Sequence, residues 1–530
     1  MNARREVWRG VGVRLALFGV WLALVVFMSS RHVFWRDEGR ALSIALQGDG
    51  LGEMLVRLSG EGHPAVWYVL LRVAHTMIAG AAVLPVVAIS AMSVAVLMLL
   101  FLSPFPLWLV TLVLATGPFL FEYSVMARNY GISAPLIFGI AALYPRFRER
   151  GGWIGALAAV LANTNAHSVL VVGGLLLMWL LDLAFERGLG WNRATGRWAL
   201  NAAVAAVGIG VSALTLYPPV NDGAVAEGVP GLRVLLAAVL VPASTFDYLS
   251  VFSWAEAFGL RSISPYPSAL FRALSPVLFG SLAGLIRWPA GLIGGAATMV
   301  ATSLFFRVVY PGGYRHQAIW LLMLIGLYWI ARQRRADPAE GVSRIATRVG
   351  FGCFVLLLAL QVPGGIGAVV DAVRAEEPFS QVRRVAEALQ ARPDLREAIV
   401  IADPDWQIEA FPLYAANPIY LPRSRAFAKV SPLSNRGLTA ISLGDLLTDA
   451  QALCRAERRP VALAMLQDLR AAALPAVFAE GYAWSLSVSV SEYAALTGST
   501  EFLGRFAPSR SGEEFSVYVL RPPCTVRWSG

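Results

Sequence analysis

The chain has 530 residues, 57% of them hydrophobic and only 15% charged, with a mean hydropathy of +0.60 and a formal net charge of +10. Soluble globular domains carry about 25% charged and 45–50% apolar residues, so a disordered chain, a collagen-like repeat, a secreted disulfide scaffold and a soluble enzyme do not fit. Lys429 is the only lysine, and the arginines sit between apolar runs, a distribution that follows the positive-inside rule rather than a nucleic-acid surface.

A basic start (Arg4, Arg5, Arg9, Arg14) precedes an apolar stretch from Leu15 to Met28, read as a retained first membrane span rather than a cleaved signal peptide. Further apolar runs follow at 65–80, 83–102, 104–121, 131–145, 153–168, 169–185, 198–217, 270–286, 289–306, 315–331 and 349–366. Most approach the roughly 20 residues that carry a helix across a bilayer, and backbone satisfaction inside lipid makes them helices. The segment at 232–252 is apolar but broken by Pro242. The expected fold is a polytopic α-helical membrane protein of about 11–13 spans over 1–370, with a soluble α/β domain over 371–530.

Arginine clusters at Arg146/Arg148/Arg150, Arg187/Arg193/Arg197 and Arg332/Arg334/Arg335/Arg344/Arg348 mark cytoplasmic loops and place 30–63, 166–168, 218–268, 307–315 and everything beyond about 367 outside. Four runs then lie between the external loop 30–63 and the loop at 146–150, where an odd number of crossings is required. The Ser103-Pro104-Phe105-Pro106 break points to 83–121 as the irregular part.

After 371 charges become frequent. Residues 379–391 read as an amphipathic helix, 398–402 as a buried strand, 442–457 as a helix, and 460–465, 484–490 and 515–520 as strands. Cys454 and Cys524 could form a disulfide if this domain is extracytoplasmic, whereas Cys353 lies in an apolar run as packing.

The first external loop carries the densest chemistry, Trp35-Arg36-Asp37-Glu38-Gly39-Arg40. Flanking guanidiniums favour ionised carboxylates, ready to act as a base or hold a metal; the alternative is an interfacial charge cluster anchoring the first helix. Leu42, Ala45, Leu46, Leu51, Met54, Leu55 and Leu58 have the spacing of surface-lying amphipathic helices, and Glu61-Gly62-His63-Pro64 leads into the next run. Asn163-Thr164-Asn165-Ala166-His167-Ser168 is a polar island between apolar runs, either a site or a hairpin turn. Of the five histidines, His32, His63, His167 and His316 fall near the external face and His75 does not. Asp247 and Glu256, in the loop at 218–268, face either a ligand or solvent.

An Asp-Glu pair in the first external loop, juxtamembrane helices and a Pro-aromatic entry into the second run resemble the GT-C superfamily of polytopic glycosyltransferases, in pattern the dolichyl-phosphate-mannose protein mannosyltransferases and the lipid A aminoarabinose transferases. Phe121-Glu122-Tyr123-Ser124-Val125-Met126-Ala127-Arg128-Asn129-Tyr130 is similar to a Tyr-Ser-x-x-Ala-Arg-x-Tyr signature of these families, and Tyr314-Arg315-His316-Gln317 to an Arg-His pair of some bacterial members. The likeness covers residues 13 to about 366 and is specific at these short motifs.

The resemblance implies inverting transfer of a sugar from a polyprenyl-phosphate donor to a hydroxyl of a glycan, lipid or protein of the cell envelope. It assigns the base to Asp37, with Glu38 supporting it or binding metal, and makes Arg36, Arg40, Arg128 and Arg315 phosphate partners. Tyr130, Asn165, His167 and His316 join the substrate-binding set. His63 stands where relatives often carry lysine. A divalent metal held by His63 or His167 with a carboxylate is one option; no ligand spacing requires it. The arginine-rich composition places the chain in a bacterial inner (plasma) membrane, among membrane lipids and without nucleic acid. The competing class, a transporter or flippase, calls for broken helices in two related halves, a symmetry not seen in this sequence.

Overall fold

The structure is a computed structural model. It describes residues 2–58, 61–188, 190–217, 231–242, 245–246, 268–310, 312–334, 341–432, 438–479 and 484–527. Asp247, Glu256 and Arg335 lie outside the described residues.

The amino-terminal two-thirds is helical. In chain order the helices are α1 (Asn2–Arg31), α2 (Arg36–Ala45), α3 (Leu51–Arg57), α4 (Val66–His75), α5 (Val83–Phe101), α6 (Leu107–Leu114), α7 (Ser133–Phe147), α8 (Trp153–Ala162), α9 (Ala166–Arg187), α10 (Arg193–Leu216), α11 (Leu232–Leu240), α12 (Ser268–Ala283), α13 (Pro289–Val308), α14 (Tyr314–Gln333), α15 (Gly341–Ala359) and α16 (Val362–Arg374). Among the described residues, six helical stretches are long and apolar enough to cross a membrane: Gly10–Arg31, Gly80–Phe101, Ala166–Arg187, Arg193–Leu216, Pro289–Val308 and Gly341–Arg374. The expected runs at 65–80 and 153–168 yield α4 and α8, of 10 residues each, about 15 Å and half a bilayer core.

Helix α14 is the central post. Its residues from His316 to Ile330 are all buried, as expected of a helix apolar on every side. It packs on α7, α9 and α13. Helices α9 and α13 touch backbone to backbone, since a Cβ on Gly294 would fall 2.9 Å from the Gly174 carbonyl oxygen.

Helices α7, α9 and α14 all begin beside the candidate site and end at a charged cluster. There Asp182 accepts from Tyr144 (2.8 Å), Arg148 (2.8 Å), Arg334 (2.6 Å) and the Trp288 indole (2.7 Å). Phe105 packs on Trp329 near the end of α14, whereas Glu122 lies 3.8 Å from Arg315 at its start. The stretch 105–122 therefore runs the length of α14, through α6 and a π-turn at Pro118–Glu122. The run at 65–80 yields the short helix α4. Its Arg72 donates to the carbonyls of Ala45 (3.1 Å), Gln47 (2.8 Å) and Gly48 (2.8 Å) at the end of α2, so α4 lies alongside α2. The proline break separates α5 from α6.

The carboxy-terminal region is α/β. A six-stranded sheet has the order β3-β2-β1-β5-β9-β8: β1 (Ile399–Asp403), β2 (Ile419–Leu421), β3 (Ala426–Phe427), β5 (Val461–Met465), β8 (Glu501–Phe506) and β9 (Phe515–Leu520). Strand β1 pairs parallel with β2 and β5, while β9 runs antiparallel to β5 and β8. Every residue of β1, β5 and β9 is buried, because both sheet faces are covered. On one face lies α17 (Val382–Ala391), presenting Val382, Val385, Ala386 and Leu389. On the other lie α18 (Leu443–Glu457), α19 (Val490–Ser499) and a small sheet of β4 (Ala440–Ser442), β7 (Ser485–Val488) and β6 (Ala476–Ala479). Cys454 on α18 is disulfide-bonded to Cys524.

The α/β domain docks on α2. Gly39 permits this: a Cβ there would meet the Ala410 Cα at 2.4 Å. Phe34 N–H donates to Tyr414 Oη (2.8 Å), Arg36 N–H to Glu513 (3.1 Å) and the Arg40 guanidinium to Glu409 (2.7 Å).

Candidate active site

The site is built at the start of α2. Glu38 stands at the third position of this helix, and its Oε2 turns back to accept the Trp35 N–H at 3.1 Å, the reciprocal arm of a capping box. The same oxygen lies 2.8 Å from His32 Nε2, and Oε1 accepts the Ala127 N–H at 2.8 Å. Glu38 is wholly buried with both oxygens engaged. It ties the first loop to the stretch bearing Arg128 through three contacts, so it is held as framework beside Asp37.

Asp37, one position earlier, turns the other way. Its side chain is 28% exposed; Oδ2 lies 3.5 Å from Arg128 and Oδ1 3.6 Å from Arg36. Arg128 also donates to the Asp37 carbonyl oxygen at 2.7 Å. Burial opposes ionisation of Asp37, but Arg128, Arg36 and Arg315 outweigh it and hold the carboxyl down at about 2. Arg315 is positioned over the Trp35 ring at 4.8 Å, with Glu122 at 3.8 Å. The guanidiniums of Arg36, Arg128 and Arg315 surround Asp37, with Glu513 3.9 Å from Arg36 and Glu122 3.8 Å from Arg315; planar forks of this kind are suited to phosphate oxygens.

Behind Arg128 runs a chain of polar groups whose donor directions follow from its ends. Gly313 N–H donates to His316 Nδ1 at 2.8 Å, so His316 carries its proton on Nε2 and donates to Tyr130 Oη, 2.8 Å away. His63 Nδ1 faces the Glu61 carbonyl at 3.3 Å, so its Nε2 is the acceptor, facing Arg128 at 3.2 Å and Tyr130 Oη at 3.4 Å. His63 is thus a neutral imidazole; burial first, and then Arg128, push it down to about 4. It does not supply the charge that a lysine at this place would. The chain ends at His167, whose ring centroid is 4.9 Å from that of His316.

Two expected ligands are committed elsewhere. Asn165 caps α9 by accepting the Ser168 N–H at 2.9 Å, and its amide donates to Ser133 at 2.9 Å and Thr164 at 3.2 Å. The polar island is therefore a hairpin turn from which His167 alone reaches toward the site histidines. Arg40 donates to both oxygens of Glu61 (2.6–2.9 Å), to Glu409 (2.7 Å) and to the Ser431 carbonyl (2.8 Å). It is an interdomain strap with all three guanidinium nitrogens engaged. The structure thus groups Asp37, Arg36, Arg128, Arg315, His63, Tyr130, His316 and His167, and sets Glu38, Arg40 and Asn165 apart as framework.

Glu409 and Glu513, contributed by the α/β domain, were missed from sequence. Nothing local marks them; each gains its role only by meeting an arginine of α2. Glu61 stood in a noted motif, yet only its bidentate contact with Arg40 reveals its part. Among the described residues no group of three His, Cys, Asp or Glu side chains is placed to hold a metal ion. No protein-family model matches the chain, and no curated protein is similar to it.

Proposed function

We propose that this protein is a polyprenyl-phosphate-sugar-dependent glycosyltransferase of the GT-C kind, moving a hexosyl or pentosyl group onto a hydroxyl of a cell-envelope glycan, lipid or protein. The observation that carries this reading is the Asp37 carboxylate set among Arg36, Arg128 and Arg315 at the end of a bundle of apolar helices. A lipid-linked donor keeps its prenyl chain among such helices while its phosphate reaches cations at their ends. The Cys454–Cys524 disulfide supports an oxidising, extracytoplasmic side for the α/β domain, and hence for the face of the bundle it covers, in a bacterial inner membrane.

In the reaction, the acceptor oxygen attacks the anomeric carbon opposite the phosphate, and its proton passes to Asp37. The sugar–phosphate C–O bond breaks, and its electron pair stays on the phosphate oxygen, stabilised by the arginines. The anomeric centre inverts. A carboxylate held near 2 is a feeble base for a hydroxyl at neutral pH. Donor phosphate neutralises the cations that depress Asp37, so its proton affinity rises once donor is bound. The reading therefore includes an order: donor first, then acceptor deprotonation.

The test uses the full chain in nanodiscs with a panel of polyprenyl-phosphate hexoses and pentoses, cell-envelope extract as acceptor, and release of sugar-free polyprenyl phosphate as readout. Asp37→Asn is expected to lower turnover by about 10²–10⁴-fold with donor binding retained. Undiminished turnover rejects the assignment.

A further inference from the structure

Among the described residues, His167 is the one histidine of the site whose ring nitrogens have no hydrogen-bond partner. It is 7% exposed, yet neither Nδ1 nor Nε2 has a hydrogen-bond partner among the described residues. Its neighbours are rings: Phe305 at 5.1 Å, Phe306 at 5.4 Å and His316 at 4.9 Å, with Tyr310 5.5 Å from His316 on the far side. By contrast, the nitrogens of His63 and His316 all have partners along the chain from Glu61 to Gly313. Buried polar groups are normally satisfied, and a group left open beside a site calls for a ligand.

The ligand's chemistry can be read from the group. A neutral imidazole presents one donor and one acceptor on opposite sides of the ring. Phosphate oxygens only accept, so a phosphate would satisfy one nitrogen and strand the other. A hydroxyl both donates and accepts, so it can meet either the protonated or the bare nitrogen. The surrounding aromatic rings offer apolar faces for the C–H face of a sugar ring. Among the arginines that face Asp37, Arg128 meets His167 only through His63, Tyr130 and His316.

We infer that the site is divided, with phosphate taken by Arg36, Arg128 and Arg315 and a hydroxylated sugar ring taken by His167 and its aromatic neighbours, and that the ring is that of the donor. This rests on the transferase reading above and adds to it the residue that distinguishes sugar-loaded from sugar-free carrier. Hydrogen-bonding sites of this type reject ligands lacking the hydroxyl much more strongly than apolar pockets reject a missing methylene.

The experiment measures affinity of full-length protein in nanodiscs for sugar-free polyprenyl phosphate and for the best-bound polyprenyl-phosphate hexose of a panel. His167→Phe keeps the ring and removes both nitrogens. It should leave affinity for the sugar-free carrier within twofold and weaken the hexose-loaded carrier about tenfold. His167→Gln, which restores a donor and an acceptor, should lie closer to wild type, and its unchanged binding of the sugar-free carrier certifies the fold if the Phe variant is lost. Equal weakening of both ligands by His167→Phe, or of neither, overturns the inference. A rise confined to acceptor KM, with donor binding unmoved, overturns the donor assignment. Wild-type protein that binds loaded and sugar-free carrier equally overturns the divided site alone, whereas wild-type protein that ignores both carriers removes the transferase reading beneath it.

Discussion

Arg128 grips Asp37 twice, through the carboxylate Oδ2 at 3.5 Å and through the backbone carbonyl oxygen at 2.7 Å. The second contact fixes the guanidinium to the helix start rather than to the carboxylate alone. An arriving phosphate can then take over charge pairing without releasing Arg128 from its place. Replacing Arg128 by Gln removes the largest stabiliser of ionised Asp37, so the Asp37 pKa rises from about 2. The sign for activity follows: the base must be deprotonated, so the acid limb of the donor kcat/KM profile moves to higher pH. Wild type should show no acid limb above about pH 4, the variant a limb at or above the ordinary carboxylate range near 4. The same depressed pKa contributes folding stability above pH about 4 that is lost as pH falls toward 2. A limb at the same pH in both proteins contradicts the pairing.

Glu38→Ala is expected to act on stability rather than chemistry. It strands the buried N–H groups of Trp35 and Ala127 and the His32 ring. Each unsatisfied buried group costs about 1–3 kcal/mol, so a thermal unfolding midpoint well below wild type is expected. Full loss of turnover with an unchanged midpoint would return Glu38 to the chemistry.

Arg40→Ala should loosen the α/β domain from the helices. The change leaves Glu61 and Glu409 as buried carboxylates without their cation, a loss of about 3–5 kcal/mol for such pairs. Hydrogen exchange should rise at 404–415 and along α2 while α13 and α14 keep their protection. Exchange unchanged at the junction would show that the strap carries no load.

The disulfide makes two predictions of one kind. Cys454→Ser opens a loop whose ends are 70 positions apart, and the α/β domain should lose about 2–4 kcal/mol against denaturant. Val490 is 60% exposed on α19, and Val490→Cys should react with an impermeant maleimide from outside intact cells. Labelling only after the cells are opened would invert the sidedness.

Much of the α/β domain was legible because its signals are local. The expected strand at 398–402 is Ile399–Asp403, the helix at 442–457 is Leu443–Glu457, and the strands at 460–465 and 515–520 fall within a residue of their places. Strand β8 escaped because its six residues are only half-buried and show no alternation. Helix α4 misled for the opposite reason: it is apolar enough for a span, and only the contact of Arg72 with the end of α2 shows where it lies.

The sequence by itself determined which segments are apolar helices, that an α/β region follows them, and that an acidic pair, an Ala-Arg-Asn-Tyr stretch and an Arg-His pair are the groups to watch. These depend on run length, period and residue type, which are properties of neighbours along the chain. Only the tertiary structure separated Asp37 from Glu38. Consecutive helical residues point about 100° apart, so one carboxylate faces the arginines and the other the buried loop. Only the fold, too, brings Glu409 and Glu513 to Arg40 and Arg36 across 369 and 477 residues. A charge acquires its role from the partners that meet it in space, and chain order carries no record of those.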